Sequence, residues 1–270
     1  MTTMPIHYRL QDGVAEITLD QAPVNALTEA MVDALLAALR RAAEDVDARA
    51  VLLASALPRR FCAGLDLAAL HGATPAQIQA LLDRLYVQLC AAQRRLGKPS
   101  IAAVRGAARG GGMTLAISCD MLVAGRSASF GYPEIDVGLL PAIHFGHLHH
   151  IVGRHRAFDL LFSGRSFGAD EAQALGLVSR VVDDDQVLAE ARRVAQMLAA
   201  KSPTAMRLGR AAFHAAVDGG ECQGAQAAAQ AVRTFCAVAV TDDGREGVAA
   251  YAEKRAARWG PAPPAHGPGR

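Results

Sequence analysis

The sequence has almost no net charge: 28 lysines and arginines stand against 26 aspartates and glutamates in 270 residues, a surplus of +2. So small an excess gives no electrostatic footprint for a nucleic-acid partner. No apolar run reaches the length needed to span a bilayer, so no membrane partner is expected. Residues 1–8 lack the basic-then-apolar pattern of a signal peptide. Cysteine is scarce. The five (Cys62, Cys90, Cys119, Cys222 and Cys236) are odd in number with no C-x-x-C pair, which points to free, mostly buried thiols in a reducing cytoplasm. A nucleophilic cysteine would need a partnering histidine, which sequence alone does not supply. Nucleotide and hydrolase signatures are missing as well. There is no G-x-x-x-x-G-K-[ST] and no G-x-S-x-G, and Gly110-x-Gly112 lacks the third glycine of a dinucleotide fingerprint because position 115 is leucine.

What is present fits a soluble globular chain: 51% apolar and 20% charged residues. Val14 to Leu19 alternates like a half-buried strand, and Asp12-Gly13 reads as the hairpin turn linking it to a strand over residues 6–10. Thr28 caps a helix carrying Met31, Leu35, Leu36 and Leu39 at helical spacing. A short apolar strand follows over 50–54. Thr74-Pro75 then opens a helix that runs to about Leu96, ahead of Gly97-Lys98-Pro99. Strands are predicted at 101–104, 121–124 and 178–182. Beyond Val187 only helices are predicted, over 187–200, 205–216, 223–240 and 245–258. Alternating strands and helices argue for an α/β fold with largely parallel pairing. The expected organisation is a core over 1–200, a helical region over 201–260 and a disordered end over 261–270.

Two glycine-rich turns carry the chemistry. Phe61-Cys-Ala-Gly-Leu-Asp-Leu67 follows one strand. Gly106-Ala-Ala-Arg-Gly-Gly-Gly112 follows another and opens a helix. Consecutive glycines let the backbone approach a ligand closely. A helix start offers unpaired amide N–H groups with partial positive charge, as an oxyanion site requires. Tight strand–helix packing is the alternative reading of the triple glycine.

Taken with further segments, these turns resemble the signature of the crotonase (enoyl-CoA hydratase/isomerase) superfamily. Asn25-Ala-Leu27 resembles its "NAL", residues 61–67 its "F-x-A-G-x-D" turn and Gly106–Gly112 its "G-x-x-x-G-G-G". Ser118-Cys-Asp120 resembles "x-C-D", residues 130–141 resemble "F-x-x-P-E-x-x-x-G-x-x-P", and residues 172–182 resemble "A-x-x-x-G-L-V-x-x-V-V". The resemblance implies a spiral of ββα units with a C-terminal helical region used for oligomerisation, in homotrimers or dimers of trimers. It also implies an acyl-CoA thioester substrate, with coenzyme A part of that substrate and no separate cofactor. Carried across, the enolate oxygen would be held by the backbone N–H groups of Leu65 and Gly111. Ala63, Gly64, Asp66, Gly110, Pro133 and Leu139 would line the substrate.

The departures from the pattern concern the carboxylates. Hydratases of the family carry two glutamates. Here the position two residues after the triple glycine is Thr114, and only Glu134 is kept. Thr114 can position a water, which makes it a candidate secondary site residue, but threonine is a very poor base at neutral pH, whereas a double-bond shift needs one base that takes an α-proton and returns it at the γ-carbon. The resemblance therefore implies an isomerase or hydratase with Glu134 as the single acid–base group, its pKa raised by an apolar pocket. The alternatives are an acyl-CoA-binding homologue without chemistry, or another enolate reaction such as decarboxylation or thioester hydrolysis. After Pro141 the family's glycine-rich stretch is replaced by Ala142-Ile143-His144-Phe145, which implies a bulkier pocket. His144 is a candidate second acid–base group. The histidines at 144, 147, 149 and 150 match no standard zinc spacing, so no metal is expected. Asp136 would share a face with Glu134 if the segment were extended. Cations for the CoA phosphates are sought at Arg59, Arg60, Lys254 and Arg255.

Overall fold

A computed structural model describes residues 4–70, 72–218 and 225–261. Cys222 and the expected disordered end beyond Pro261 lie outside these described residues. The chain opens with the hairpin β1 (Ile6–Gln11) and β2 (Val14–Leu19), paired antiparallel with Gln11 opposite Val14. Its turn residues Asp12 and Gly13 both have positive φ, 51° and 73°, the requirement of a two-residue turn that matches strand twist. A strand–strand–helix pattern then recurs. β3 (Ala26–Leu27) and α1 (Glu29–Glu44) are followed by β4 (Ala50–Ser55), β5 (Arg60–Cys62) and β6 (Gly64–Leu65). A helical stretch comes next: α2 (Pro75–Leu82), a π-helical turn over Asp83–Gln88, and α3 (Leu89–Arg94). β7 (Ser100–Val104) and β8 (Ala107–Arg109) lead into α4 (Gly111–Ile117), and β9 (Met121–Gly125) and β10 (Ser129–Gly131) into two 3-10 turns.

α5 (Leu148–Val152), α6 (Arg154–Phe162), β11 (Ser166–Gly168), α7 (Ala169–Ala174), β12 (Arg180–Val182) and α8 (Val187–Ala199) follow. The chain then runs through α9 (Pro203–Asp218), α10 (Ala225–Ala239) and α11 (Asp242–Ala252). The last helix is six residues shorter at its C-terminal end than the sequence predicts. Arg255 turns back instead, donating to both Glu246 and Glu253.

Among the described residues the strands collect into three sheets. The largest has the order β1-β2-β4-β7-β9-β12 and is parallel except for the hairpin. A second has the order β11-β10-β8-β5, and β3 pairs with β6 in a third. In β4, Val51 and Leu53 enter one apolar cluster while Ala50, Leu52 and Ala54 enter another. β7 divides likewise, Ala102 and Val104 against Ile101 and Ala103. Alternate side chains of a strand point to opposite faces, so this sheet is covered on both sides, with α8 on one of them. That is why these strands read as unbroken apolar runs.

Polar side chains pin the elements together. Thr28 and Thr74 accept from the amides of Met31 and Gln77, capping α1 and α2 as predicted. Lys98 donates to the carbonyls of Ala42, Ala43 and Asp45, ending α1. Asp120 accepts from Ser100, from Arg210 at 2.8 Å and from His214 at 2.9 Å. It thereby ties α9 to the sheet, which gives the Cys-Asp pair a structural reason.

Candidate functional site

Two backbone amides meet where the third sheet touches the start of α4. β6 brings Leu65, whose register is set by Leu27 of β3. Asn25, the residue before β3, is fully buried at φ 52°. Its side chain donates to the Phe61 carbonyl at 2.9 Å and to Ser55, and accepts from the Gln21 amide. This hub holds β3 against the Phe61–Leu65 turn and explains an asparagine in the Asn-Ala-Leu motif.

Gly64 has φ 93°, and a β-carbon there would stand 2.7 Å from the Arg109 carbonyl and 3.1 Å from the Gly111 amide nitrogen. A β-carbon on Gly111 would stand 3.4 Å from the Leu65 nitrogen and 3.0 Å from Leu27 Cδ1. The amides of Leu65 and Gly111 are thus neighbours, and only glycine lets the two turns approach this closely. Gly111 is the first residue of α4, so its N–H belongs to the set that no helix carbonyl satisfies.

Glu134 sits beside this pair. It follows Pro133 in a 3-10 turn over Pro133–Val137, and the turn ends at Gly138 in the left-handed region. A β-carbon on Gly110 (φ 49°) would fall 2.6 Å from Glu134 Oε1, so the carboxylate lies directly on the glycine backbone. Glu134 Oε2 is buried with no hydrogen-bond partner. Burial raises the pKa of this carboxyl above the ordinary 4.5, only partly offset by its own backbone amide.

A cavity of about 840 Å³ opens onto these groups. Leu65, Gly111 and Glu134 line it, together with Ala63, Gly64, Gly110, Pro133 and Leu139. Among the described residues, the remaining walls are apolar apart from Tyr86 and Asp136. Size and lining suit a small-molecule site: a mostly apolar concavity with few polar groups.

Other expected residues stand elsewhere. Asp66 does not line the cavity; its carboxylate accepts from the Ala68 amide and caps the 3-10 turn Leu67–Leu70. Thr114 and His144 are behind the wall rather than on it. They are 3% and 0% exposed, and Thr114 Oγ1 lies 3.2 Å from His144 Nε2. His144 Nδ1 lies 3.3 Å from His147 Nε2, and its ring packs edge-on against Tyr132 with centroids 4.5 Å apart. Burial, then His147, push the His144 pKa down to about 3. The imidazole is therefore neutral and does not supply a second acid–base group to the cavity. The segment holding Asp136 is a tight turn rather than extended, so the shared face with Glu134 is not formed; its carboxylate instead lies against Gly164.

Arg255 is engaged by Glu246 and Glu253. Among the described residues no group of three or more histidine, cysteine or acidic side chains is placed to hold a metal ion. Of the four described thiols, Cys62 and Cys119 are buried, Cys90 is half-buried and Cys236 exposed. Cys62 donates to the Asn25 carbonyl and burial raises its pKa to about 12, which makes it an inert packing group.

Sequence reasoning missed Tyr86. It reaches the cavity from the π-helical turn, and burial together with the Glu134 charge pushes its pKa up to about 12. The one signal was its position in the row Ile78, Leu82, Tyr86, which recurs every four residues.

Known proteins resemble this chain along most of its length. The profile described as "Enoyl-CoA hydratase/isomerase" matches residues 9–262. A probable enoyl-CoA hydratase of Mycobacterium leprae is 35% identical over 248 residues, covering 92% of this chain and 93% of that protein. The 2,3-dehydroadipyl-CoA hydratase of Escherichia coli is 36% identical over 247 residues, covering 91% and 94%. Among solved structures, an enoyl-CoA hydratase of Mycobacterium smegmatis superposes with a TM-score of 0.87 at 35% identity, covering 94% of this chain and 98% of the other. One from Bacillus anthracis gives the same TM-score at 29% identity. The mixed α/β fold of this chain is the crotonase-like one.

Proposed function

The chain belongs to the enoyl-CoA hydratase/isomerase family, and we propose that it moves a carbon–carbon double bond within an unsaturated acyl-CoA, with Glu134 as the only acid–base group. The observation that carries this reading is the pairing of Thr114 with His144 in the interior. The position where the family's hydratases hold a second glutamate is filled by a buried threonine that does not line the cavity.

In the proposed reaction the thioester carbonyl accepts from the Leu65 and Gly111 N–H groups. Glu134 takes a proton from the α-carbon of a 3-enoyl thioester. The electron pair released shifts the double bond towards C2–C3, the oxygen gains charge as the enolate, and the two amides stabilise it. Glu134 then returns the proton to the γ-carbon and is regenerated as carboxylate. Donors aimed at charge that develops only during reaction are typically worth about 2.7–4 kcal/mol each. The raised pKa of Glu134 supports both halves of the cycle, since it brings carboxylate and acid closer in energy to the carbon acid they serve.

Hydration is the second reading, favoured by the relatives that carry the name hydratase. It would need Glu134 to activate water while no second carboxylate takes the place of Thr114. Incubating the protein with matched 2-enoyl and 3-enoyl thioesters, with products resolved by mass spectrometry, separates the two. Isomerised product with little gain of water supports the proposal. Rapid 3-hydroxyacyl formation with no isomerisation overturns it.

The same reading takes coenzyme A as part of the substrate, with no further cofactor, and places the reaction in the cytoplasm. It treats residues 1–200 as the catalytic core and 201–260 as an oligomerisation region, in a homotrimer or dimer of trimers. Exposed apolar surface supports assembly: Phe158, 63% exposed, stacks on Phe162, which stacks on Phe145. Light scattering on the purified protein tests it; a monomer at micromolar concentration would contradict it.

A further inference from the structure

The cavity contains a donor that the proposed reaction does not use. Ile78, Leu82 and Tyr86 are spaced four apart and all line it, so one helical stripe forms this wall. The first two are aliphatic; the third ends in a hydroxyl. The π-helical turn over Asp83–Gln88 places consecutive residues on the site from behind and from within. Leu85 packs beneath the glycine turn, where a β-carbon on Gly111 would meet its Cδ2 at 3.4 Å. Tyr86 projects past it into the cavity.

Among the described residues lining the cavity, only Tyr86, Glu134 and Asp136 have polar side chains, and Tyr86 alone is a neutral donor. No described residue hydrogen-bonds its hydroxyl. A polar group isolated in an apolar pocket usually fixes ligand orientation, and Tyr86 is such a group in this cavity. The acceptor is then a group of the ligand. The Glu134 carboxylate in the cavity disfavours an anionic acyl terminus. A neutral oxygen satisfies the phenol without that penalty. Tyr86 and Glu134 line the same cavity, so the donor and the acid–base group face one ligand space.

We propose that Tyr86 is a specificity-determining residue whose hydroxyl donates to a neutral oxygen on the acyl chain, so that oxo- or hydroxy-substituted thioesters are preferred over plain alkyl ones. The inference rests on the acyl-CoA reading of the cavity. Because burial holds the phenol protonated well beyond neutral pH, the donor is available throughout the physiological range.

The test is calorimetric titration of the full-length protein with unreactive saturated thioesters of one length: hexanoyl-CoA, 4-oxohexanoyl-CoA and 5-oxohexanoyl-CoA. Wild type is expected to bind at least one oxo compound about tenfold more tightly than hexanoyl-CoA, the scale of one net hydrogen bond. Tyr86→Phe keeps the ring and is expected to bind the three alike. Circular dichroism and thermal unfolding confirm that the variant is folded. Equal affinities in wild type, or a preference that survives in Tyr86→Phe, overturn the assignment of Tyr86 while leaving the acyl-CoA reading intact. Failure of wild type to bind any of the three overturns both.

Discussion

Thr114 Oγ1 lies 3.2 Å from His144 Nε2, joining α4 to the turn after Pro141 in the protein interior. The two residues stand at two of the chain's departures from the family pattern, and each accounts for the other. A hydroxyl gives the imidazole a neutral partner where a glutamate would bring a buried charge. The imidazole in turn fills space that a glycine-rich stretch would leave open.

If the pair is structural, Thr114→Val leaves His144 Nε2 without its partner. The expected cost is about 1–3 kcal/mol in denaturant unfolding, the usual penalty for an orphaned buried group, with turnover kept within about fivefold of wild type. A hundredfold loss of turnover at unchanged stability would instead put Thr114 at the chemistry.

His144 also makes stability depend on pH. Its folded pKa is depressed from 6.5 to about 3, so between those values the unfolded chain binds the proton more tightly. Its stabilising contribution is present above pH 6.5 and is lost progressively as pH falls towards 3. Between about pH 8 and about pH 5 the loss is about 2 kcal/mol, at 1.36 kcal/mol per unit below the unfolded pKa. In His144→Gln, denaturant midpoints measured across that range should lose this slope.

Glu134 has the opposite sign. Burial raises its pKa above 4.5, so the folded state holds the proton more tightly, and ionisation costs stability as pH rises through the folded value. Glu134→Gln is therefore expected to unfold at higher denaturant than wild type at neutral pH. The gap should close below about pH 4.5, where both are neutral. An unchanged gap across pH would mean that the carboxyl is not desolvated.

The glycine turns give a test of the oxyanion site that leaves every titratable group in place. Gly111→Ala puts a β-carbon 3.0 Å from Leu27 Cδ1 and 3.4 Å from the Leu65 nitrogen. It should remain folded with turnover reduced about 10²-fold or more, comparable to removing one oxyanion donor. Gly64→Ala is expected to be worse for folding, because it meets the Arg109 carbonyl at 2.7 Å with φ at 93°. Circular dichroism and steady-state rates on the two variants distinguish the effects.

Much of this was legible in the sequence because it is local. Asp12-Gly13, Thr28 and Thr74 act on backbone groups within four residues, and the apolar runs of β4 and β7 reflect burial on both faces. The short strands of the second sheet were not legible. Each has three residues, too few for a period, and the pairing of β5 with β8 is bulged at Arg60 and Cys62. The glycine turns and Glu134 were found, since close backbone approach leaves a compositional mark. Side-chain contacts left none: Thr114 and His144 pair with each other in the interior, Asp66 accepts from its own backbone, and Tyr86 lines the cavity from a stripe that reads as core.

Turnover of a 3-enoyl-CoA by Glu134→Gln tests most directly whether Glu134 is the single proton shuttle. The rate should fall by about 10²–10⁴ while affinity for a saturated acyl-CoA stays within about threefold of wild type. Turnover at the wild-type rate in that variant would contradict it.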